Sequence, residues 1–169
     1  MLISGCSLQA ATPPIPQPTH PTRRPKIAGK VCLSLLGTWH GGHESEKWNP
    51  AASTLYQVLL SIQGMIFVED PYFNEPAYEG MRGTAEGAAA SLRYNSELRL
   101  NTLRHAMADV LRKPRPGYEE VTRAHFRLLR HRILRTAAAW VAEAAPLEAG
   151  FRRKMRGAVA ELRELLAAL

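Results

Sequence analysis

The sequence predicts a mainly α-helical protein with little or no sheet, behind a disordered start. Three observations carry that prediction. Beyond residue 53, four segments place apolar side chains at helical spacing. Prolines interrupt the chain between segments, at Pro71, Pro76, Pro114 and Pro116. Residues 1–28, by contrast, mix proline with small and polar side chains and show no apolar period. Such a stretch buries too little to offset its ordering entropy.

Composition sets the outer bounds. A chain of 169 residues fits one domain of ordinary size, and 46% hydrophobic content suffices for a core. The two cysteines, Cys6 and Cys32, make neither a disulfide framework nor a zinc spacing. That points to a reducing compartment, cytoplasmic or nuclear, and to no metal and no cofactor. The net charge of +7 favours acidic partners. The arginines are scattered over helices without interleaved aromatics, so nucleic acid is not the expected partner. No apolar run approaches the roughly 20 residues of a membrane span. Ile3-Ser4-Gly5-Cys6 resembles a lipoprotein cleavage box, yet no charged start or hydrophobic core precedes it.

The elements follow in order. Residues 1–28 form the leader, where Arg23-Arg24-Pro25-Lys26 reads as solvated linker more readily than as an import signal. Composition changes abruptly at Gly29. Gly29 to Trp39, GKVCLSLLGTW, places Cys32 in an extended stretch between hydrophobic runs. His40 and His43 follow in a polar, glycine-containing loop with no fourth metal ligand, as surface histidines. A helix begins near Ser53, its expected N-cap, with Leu55, Val58, Leu59, Ile62, Met65 and Ile66 on one face. Asp70-Pro71 ends it. Residues 70–76 then form an irregular, rigid segment that Tyr72 and Phe73 pin to a core.

Three more helices are expected. Ser91–Arg112 turns Leu98, Thr102, His105, Met107 and Leu111 inward. Tyr118–Ala144 turns in Val121, Phe126, Leu129, Ile133, Ala137 and Trp140. The last, Leu147–Ala168, is amphipathic, with Leu147, Phe151, Met155, Val159, Leu162 and Leu166 as a packing face. The expected division is a leader over 1–28, a domain over 29–145 and a terminal helix over 146–169.

Several motifs together resemble the ubiquitin-conjugating enzymes. Cys32-Leu33-Ser34-Leu35-Leu36 is similar to that family's active-site stretch, and Trp48-Asn49-Pro50-Ala51 to its tryptophan–polar–proline–alanine turn. Val58-Leu59-Leu60-Ser61-Ile62-Gln63 resembles the helix that follows. Asp70-Pro71-Tyr72-Phe73-Asn74-Glu75-Pro76 resembles its doubly proline-braced loop. Within the family, the match is to the large hybrid conjugase-ligases and the plant phosphate-homeostasis type. PYFNE, the Gly83-Thr84-Ala85-Glu86-Gly87 run, Tyr94-Asn95 and Arg112-Lys113-Pro114 carry it. The resemblance spans about residues 29–142.

The resemblance implies an acyl transferase. Cys32 accepts ubiquitin as a thioester from an activating enzyme and passes it to a substrate lysine. Glu75, with Asn74 beside it, positions or deprotonates that amine, or Glu75 simply caps its loop. Trp48, Pro50 and Ala51 lie at the turn presented to ligases. The implied partners are ubiquitin, its activating enzyme, a ligase and protein substrates.

The chain departs from the pattern upstream of Cys32. The family's His-Pro-Asn motif is reduced to His20-Pro21-Thr22 at a shifted position, with Thr22-Arg23-Arg24 where the motif belongs. A complete family domain also places an N-terminal helix and an antiparallel sheet before the active-site stretch, and residues 1–28 are too short and proline-rich for either. The expected fold is therefore the mainly helical C-terminal half of an α+β domain. Two classes of function remain open: ubiquitin transfer through Cys32, or a non-catalytic interaction module.

Overall fold

The computed structural model describes residues 33–37, 47–65, 67–74 and 76–169. The readings of the leader, Cys32, His40, His43, Ile66 and Glu75 lie outside the described residues. Among the described residues every regular element is helical and there is no strand. The chain divides into two compact units between Asn95 and Ser96.

In the first unit, Leu33 and Ser34 are buried and open a 3-10 turn, Ser34–Leu36. Leu36 N–H donates to the Leu33 carbonyl at 3.1 Å and Gly37 N–H to that of Ser34 at 2.9 Å. Helix α1 spans Leu55–Met65. Its cap is Thr54, one residue beyond the expected Ser53. Thr54 Oγ1 accepts from Gln57 N–H at 3.3 Å while Gln57 Oε1 accepts from Thr54 N–H at 2.8 Å. This reciprocal pair satisfies two donors that a helix start otherwise leaves open, an effect of about 1 kcal/mol. Ser53 instead accepts from Asn49 N–H at 2.9 Å. Only part of the expected α1 face is covered: Val58 is buried and Ile62 half-buried, while Leu55 and Leu59 are exposed.

The segment expected to be irregular is helical. Pro71–Asn74 forms a 3-10 turn, and helix α2 spans Pro76–Glu79. Pro71 suits a first helical position, because its missing N–H would lack a partner there in any case and its φ is preset. Phe73 is buried, as the sequence led us to expect. Tyr72 stacks on Tyr78 with ring centroids 4.6 Å apart, and the Arg82 guanidinium lies 4.7 Å over the Phe73 ring.

Helix α3, Ala85–Asn101, begins six residues before the expected Ser91. The glycine-threonine run builds this start. Gly83 sits at φ 85°, a conformation that side-chain-bearing residues seldom adopt. Thr84 Oγ1 donates to the Met81 carbonyl at 2.8 Å and accepts from Gly87 N–H at 3.0 Å. A Cβ on Gly87 would run into that same Met81 carbonyl.

In the second unit, the chain leaves α3 through a π-helical stretch, Thr102–Ala108, into helix α4, Asp109–Arg112. The Asp109 N–H reaches back five residues to the Arg104 carbonyl, which absorbs an extra residue and rotates the phase of the buried face. Leu100, Leu103 and Ala108 are buried, and His105, expected inward, is exposed.

His105 Nδ1 lies 2.8 Å from Asp109 Oδ2, and Arg112 Nη1 donates to Asp109 Oδ1 at 2.8 Å. The His105 hydrogen bond, then the charges of His105 and Arg112, hold the Asp109 carboxyl below its usual range. A depressed carboxylate stabilises the fold above its unfolded-state value, and that contribution is lost as pH falls through the folded one. Thermal unfolding followed from neutral pH down through the acid range should therefore show a salt-sensitive loss that Asp109→Asn removes. An unchanged acid limb in that variant would refute the assignment.

Helix α5 spans Glu119–Glu143 and helix α6 spans Ala149–Ala167. Glu119 and Glu120 lie in the first turn of α5, where negative charge complements the helix dipole. Phe126 and Ala137 are buried, with Ile133 and Trp140 packed beside them. Val121 is exposed instead of inward, since five residues before Phe126 is well over a third of a turn off that face. On α6, Met155, Val159, Leu162 and Leu166 close the core, so this stripe packs within the chain. Arg99 pairs with Glu143 and Arg112 with Glu161 at its margin. Leu162 is fully buried, so Leu162→Ala should cost about 2–5 kcal/mol in urea unfolding. A cost below about 1 kcal/mol would mean that the site collapses without leaving a cavity.

Candidate active site

The candidate site lies in the first unit and is assembled from a turn, a loop and one face of α3. The turn precedes α1. Asn49 Oδ1 accepts from Ala51 N–H at 3.0 Å, and the Asn49 carbonyl accepts from Ala52 N–H at 3.1 Å and Ser53 N–H at 2.7 Å. One asparagine thus closes the turn from its side chain and its backbone, as asparagine does where the chain must reverse. Trp48, Pro50 and Ala51 are all exposed on it.

The loop is held from behind by α3. Ser91 and Asn95, one helical turn apart, face it together. Ser91 Oγ donates to Asp70 Oδ1 at 3.0 Å. Asn95 Nδ2 donates to the Glu69 carbonyl at 3.1 Å and to Asp70 Oδ1 at 3.2 Å. Both contacts of that nitrogen are to acceptors, which fixes the orientation of the amide. Ser91 and Asn95 are buried while Glu69 and Asp70 are exposed, so these bonds are partly shielded from water. Among the described residues, Asn95 Oδ1 is left without a hydrogen-bond partner.

Asp70 is thereby committed to structure: its carboxylate anchors the start of the Pro71–Asn74 turn. The turn is pinned a second time by the Phe73, Tyr72 and Tyr78 rings and by Tyr72 Oη donating to Met81 Sδ at 3.9 Å. Asn74 emerges half-buried at the end of this doubly fixed turn. Cys32 and Glu75 lie outside the described residues. The two residues that follow Cys32, Leu33 and Ser34, are both buried. No group of three His, Cys, Asp or Glu able to hold a metal occurs among the described residues.

Ser91 is the residue that sequence reasoning missed. Asn95 stood in the Tyr94-Asn95 pair but without a role. Their spacing of four residues on one helix was the available signal. The partner lies 21 to 26 residues away, and local pattern does not reveal it.

No family model matches the sequence. Individual proteins do. The chain is 48% identical over 115 residues, 68% of its length, to the dual E2 ubiquitin-conjugating enzyme/E3 ubiquitin-protein ligase BIRC6 of Homo sapiens. It is 51% identical over 113 residues, 67% of its length, to probable ubiquitin-conjugating enzyme protein 17 of Caenorhabditis elegans. Over 118 residues, 70% of its length, it is 43% identical to probable ubiquitin-conjugating enzyme E2 25 of Arabidopsis thaliana. The matched stretch spans 2%, 15% and 19% of those proteins respectively. These relatives define a class, the transferases of ubiquitin conjugation. The chain belongs to the ubiquitin-conjugating enzyme family and carries part of a ubiquitin-conjugating domain.

Proposed function

We propose that this chain accepts ubiquitin as a thioester on Cys32 and transfers it to a substrate lysine. Its helices would then be the C-terminal half of the family's α+β fold. The identity of 48% to a conjugating enzyme over 115 residues carries the reading. Anchored elements on either side of the chemistry support it: the buried Leu33-Ser34 pair after Cys32, and the clamped loop that ends in Asn74.

The chemistry balances without a cofactor. The Cys32 thiolate attacks the thioester carbonyl of ubiquitin on the activating enzyme, whose own cysteine leaves as thiolate. One sulfur–acyl bond forms and one breaks, so the exchange is nearly thermoneutral. A neutral lysine amine then attacks the same carbonyl, Cys32 leaves as thiolate, and the amine proton passes to a base. Glu75 is the proposed base, with Asn74 orienting the amine. Trp48, Pro50 and Ala51 offer an exposed turn for a ligase. Ubiquitin, the activating enzyme and a cytoplasmic or nuclear setting complete the proposal.

A second reading, a non-catalytic interaction module, is favoured by Thr22-Arg23-Arg24 standing where the family's oxyanion asparagine belongs. Loss of such a donor typically costs about 10²–10³ in rate. Incubation of the full chain with activating enzyme, ubiquitin and ATP separates the two. The enzymatic reading expects a ubiquitin-sized gel shift that reducing agent reverses. No shift under conditions where a standard conjugating enzyme charges would overturn it and leave the binding module.

A further inference from the structure

The charge of the chain is not spread evenly. Residues 96–169 hold 15 Lys and Arg against 8 Asp and Glu, while the first 95 residues hold seven of each. The whole net charge of +7 therefore sits on the second unit. Within it, α5 is the extreme case: between Val121 and Ala142 it carries five arginines and two histidines and not one carboxylate.

Part of this helix faces neither the core nor a counter-charge. Positions 121, 128, 132 and 135 fall within about 60° of one line at 100° per residue, so they form a single outward ridge about 21 Å long. Val121 is 66% exposed and Leu128 83%. Leu128 is the most exposed of the large hydrophobic side chains described. Arg132 and Arg135 are exposed, and neither has a carboxylate within ion-pairing distance among the described residues. An isolated exposed leucine needs no explanation. Two aliphatic side chains aligned with two unpaired guanidinium groups on one ridge do.

We propose that the outward ridge of α5 docks an acidic protein segment carrying an apolar residue. That residue seats against Val121 and Leu128, and neighbouring carboxylates pair with Arg132 and Arg135. Carboxylates match the planar guanidinium fork in two-point contacts. The aliphatic half of the ridge separates this partner from nucleic acid. A phosphate backbone gains nothing from Val121 and Leu128, and no Phe, Tyr or Trp stands on the ridge for a base to stack on. A lipid surface calls for a broad apolar stripe, whereas α5 turns its broad stripe, with Phe126 and Ala137, into the core. The inference does not depend on Cys32 chemistry, and it names a recruitment surface on the second unit.

Fluorescence anisotropy on the full chain tests it. The probe is a labelled twelve-residue peptide of Glu and Asp with a central Leu-Phe pair. Its controls are the same peptide with Ser-Ser at the centre, a labelled poly-dT oligonucleotide and vesicles of phosphatidylserine and phosphatidylcholine. The Leu-Phe peptide should bind about tenfold more tightly than its Ser-Ser control. Leu128→Ser should erase that difference, and the double change Arg132→Glu with Arg135→Glu should weaken binding of both peptides about tenfold or more. All three positions are exposed, so circular dichroism should confirm an intact helix. Equal binding of both peptides, no effect of Leu128→Ser, or tighter binding to the oligonucleotide or the vesicles than to the Leu-Phe peptide would each overturn the proposal.

Discussion

Cys32→Ala is expected to abolish charging with ubiquitin, and Cys32→Ser to yield a conjugate that survives reducing agent. The difference follows from the acyl bond each side chain allows. Alanine has no nucleophile. Serine attacks far more weakly, because its hydroxyl is hardly ionised near neutral pH, but the ester it forms is not cleaved by thiol. Serine differs from cysteine by a single atom, so the change alters the nucleophile and little else. The measurement is a non-reducing and reducing gel pair. A thiol-sensitive band that persists in Cys32→Ala would move the chemistry to Cys6 or elsewhere.

The second large effect is expected at Asn95, which touches no reacting atom. Its amide nitrogen ties the Glu69 carbonyl and the Asp70 carboxylate to α3. Asn95→Ala takes the donor from the Glu69 carbonyl and one of two donors from Asp70, a cost of about 1–3 kcal/mol for the two bonds together. The α3 attachment of the Pro71–Asn74 turn then rests on Ser91 alone. A displacement near 1 Å at a reacting group can cost about 10² in rate. Discharge of preformed thioester to free lysine should fall toward that figure, while charging by the activating enzyme changes much less. Ser91→Ala, which removes a single hydrogen bond at 3.0 Å, should fall between wild type and Asn95→Ala. If both steps slow equally while urea unfolding shows only the stability loss, Asn95 supports the fold and not the transfer.

Elements whose packing partner is apolar and whose period is strict were legible from sequence alone. Helix α6 is the clearest: Met155, Val159, Leu162 and Leu166 repeat at helical spacing, and burial reads that pattern directly. The start of α3 was not legible, because Ala-Glu-Gly-Ala-Ala-Ala offers no apolar contrast; the N-cap geometry of Thr84 was its only sign. His105 was misplaced because the π stretch at Thr102–Ala108 inserts a phase step that a regular 3.6-residue period lacks. Val121 was misplaced because its five-residue step to Phe126 does not match the helical period. At the candidate site, the Trp48–Ala51 turn and the braced loop were visible as motifs. Their fastening by Ser91 and Asn95 was not, since it joins residues more than 20 positions apart.

The close approach at Gly87 has a genetic consequence. Every missense change at a glycine codon adds at least a Cβ, and here that atom meets the Met81 backbone, which has no rotamer to move aside. In a library of all single substitutions selected for folding, position 87 should stand as an empty column. Gly64, Gly80 and Gly150, where an added Cβ meets nothing, should fill with variants. The glycine-threonine run is therefore as much a record of what selection removes as of what the helix start requires.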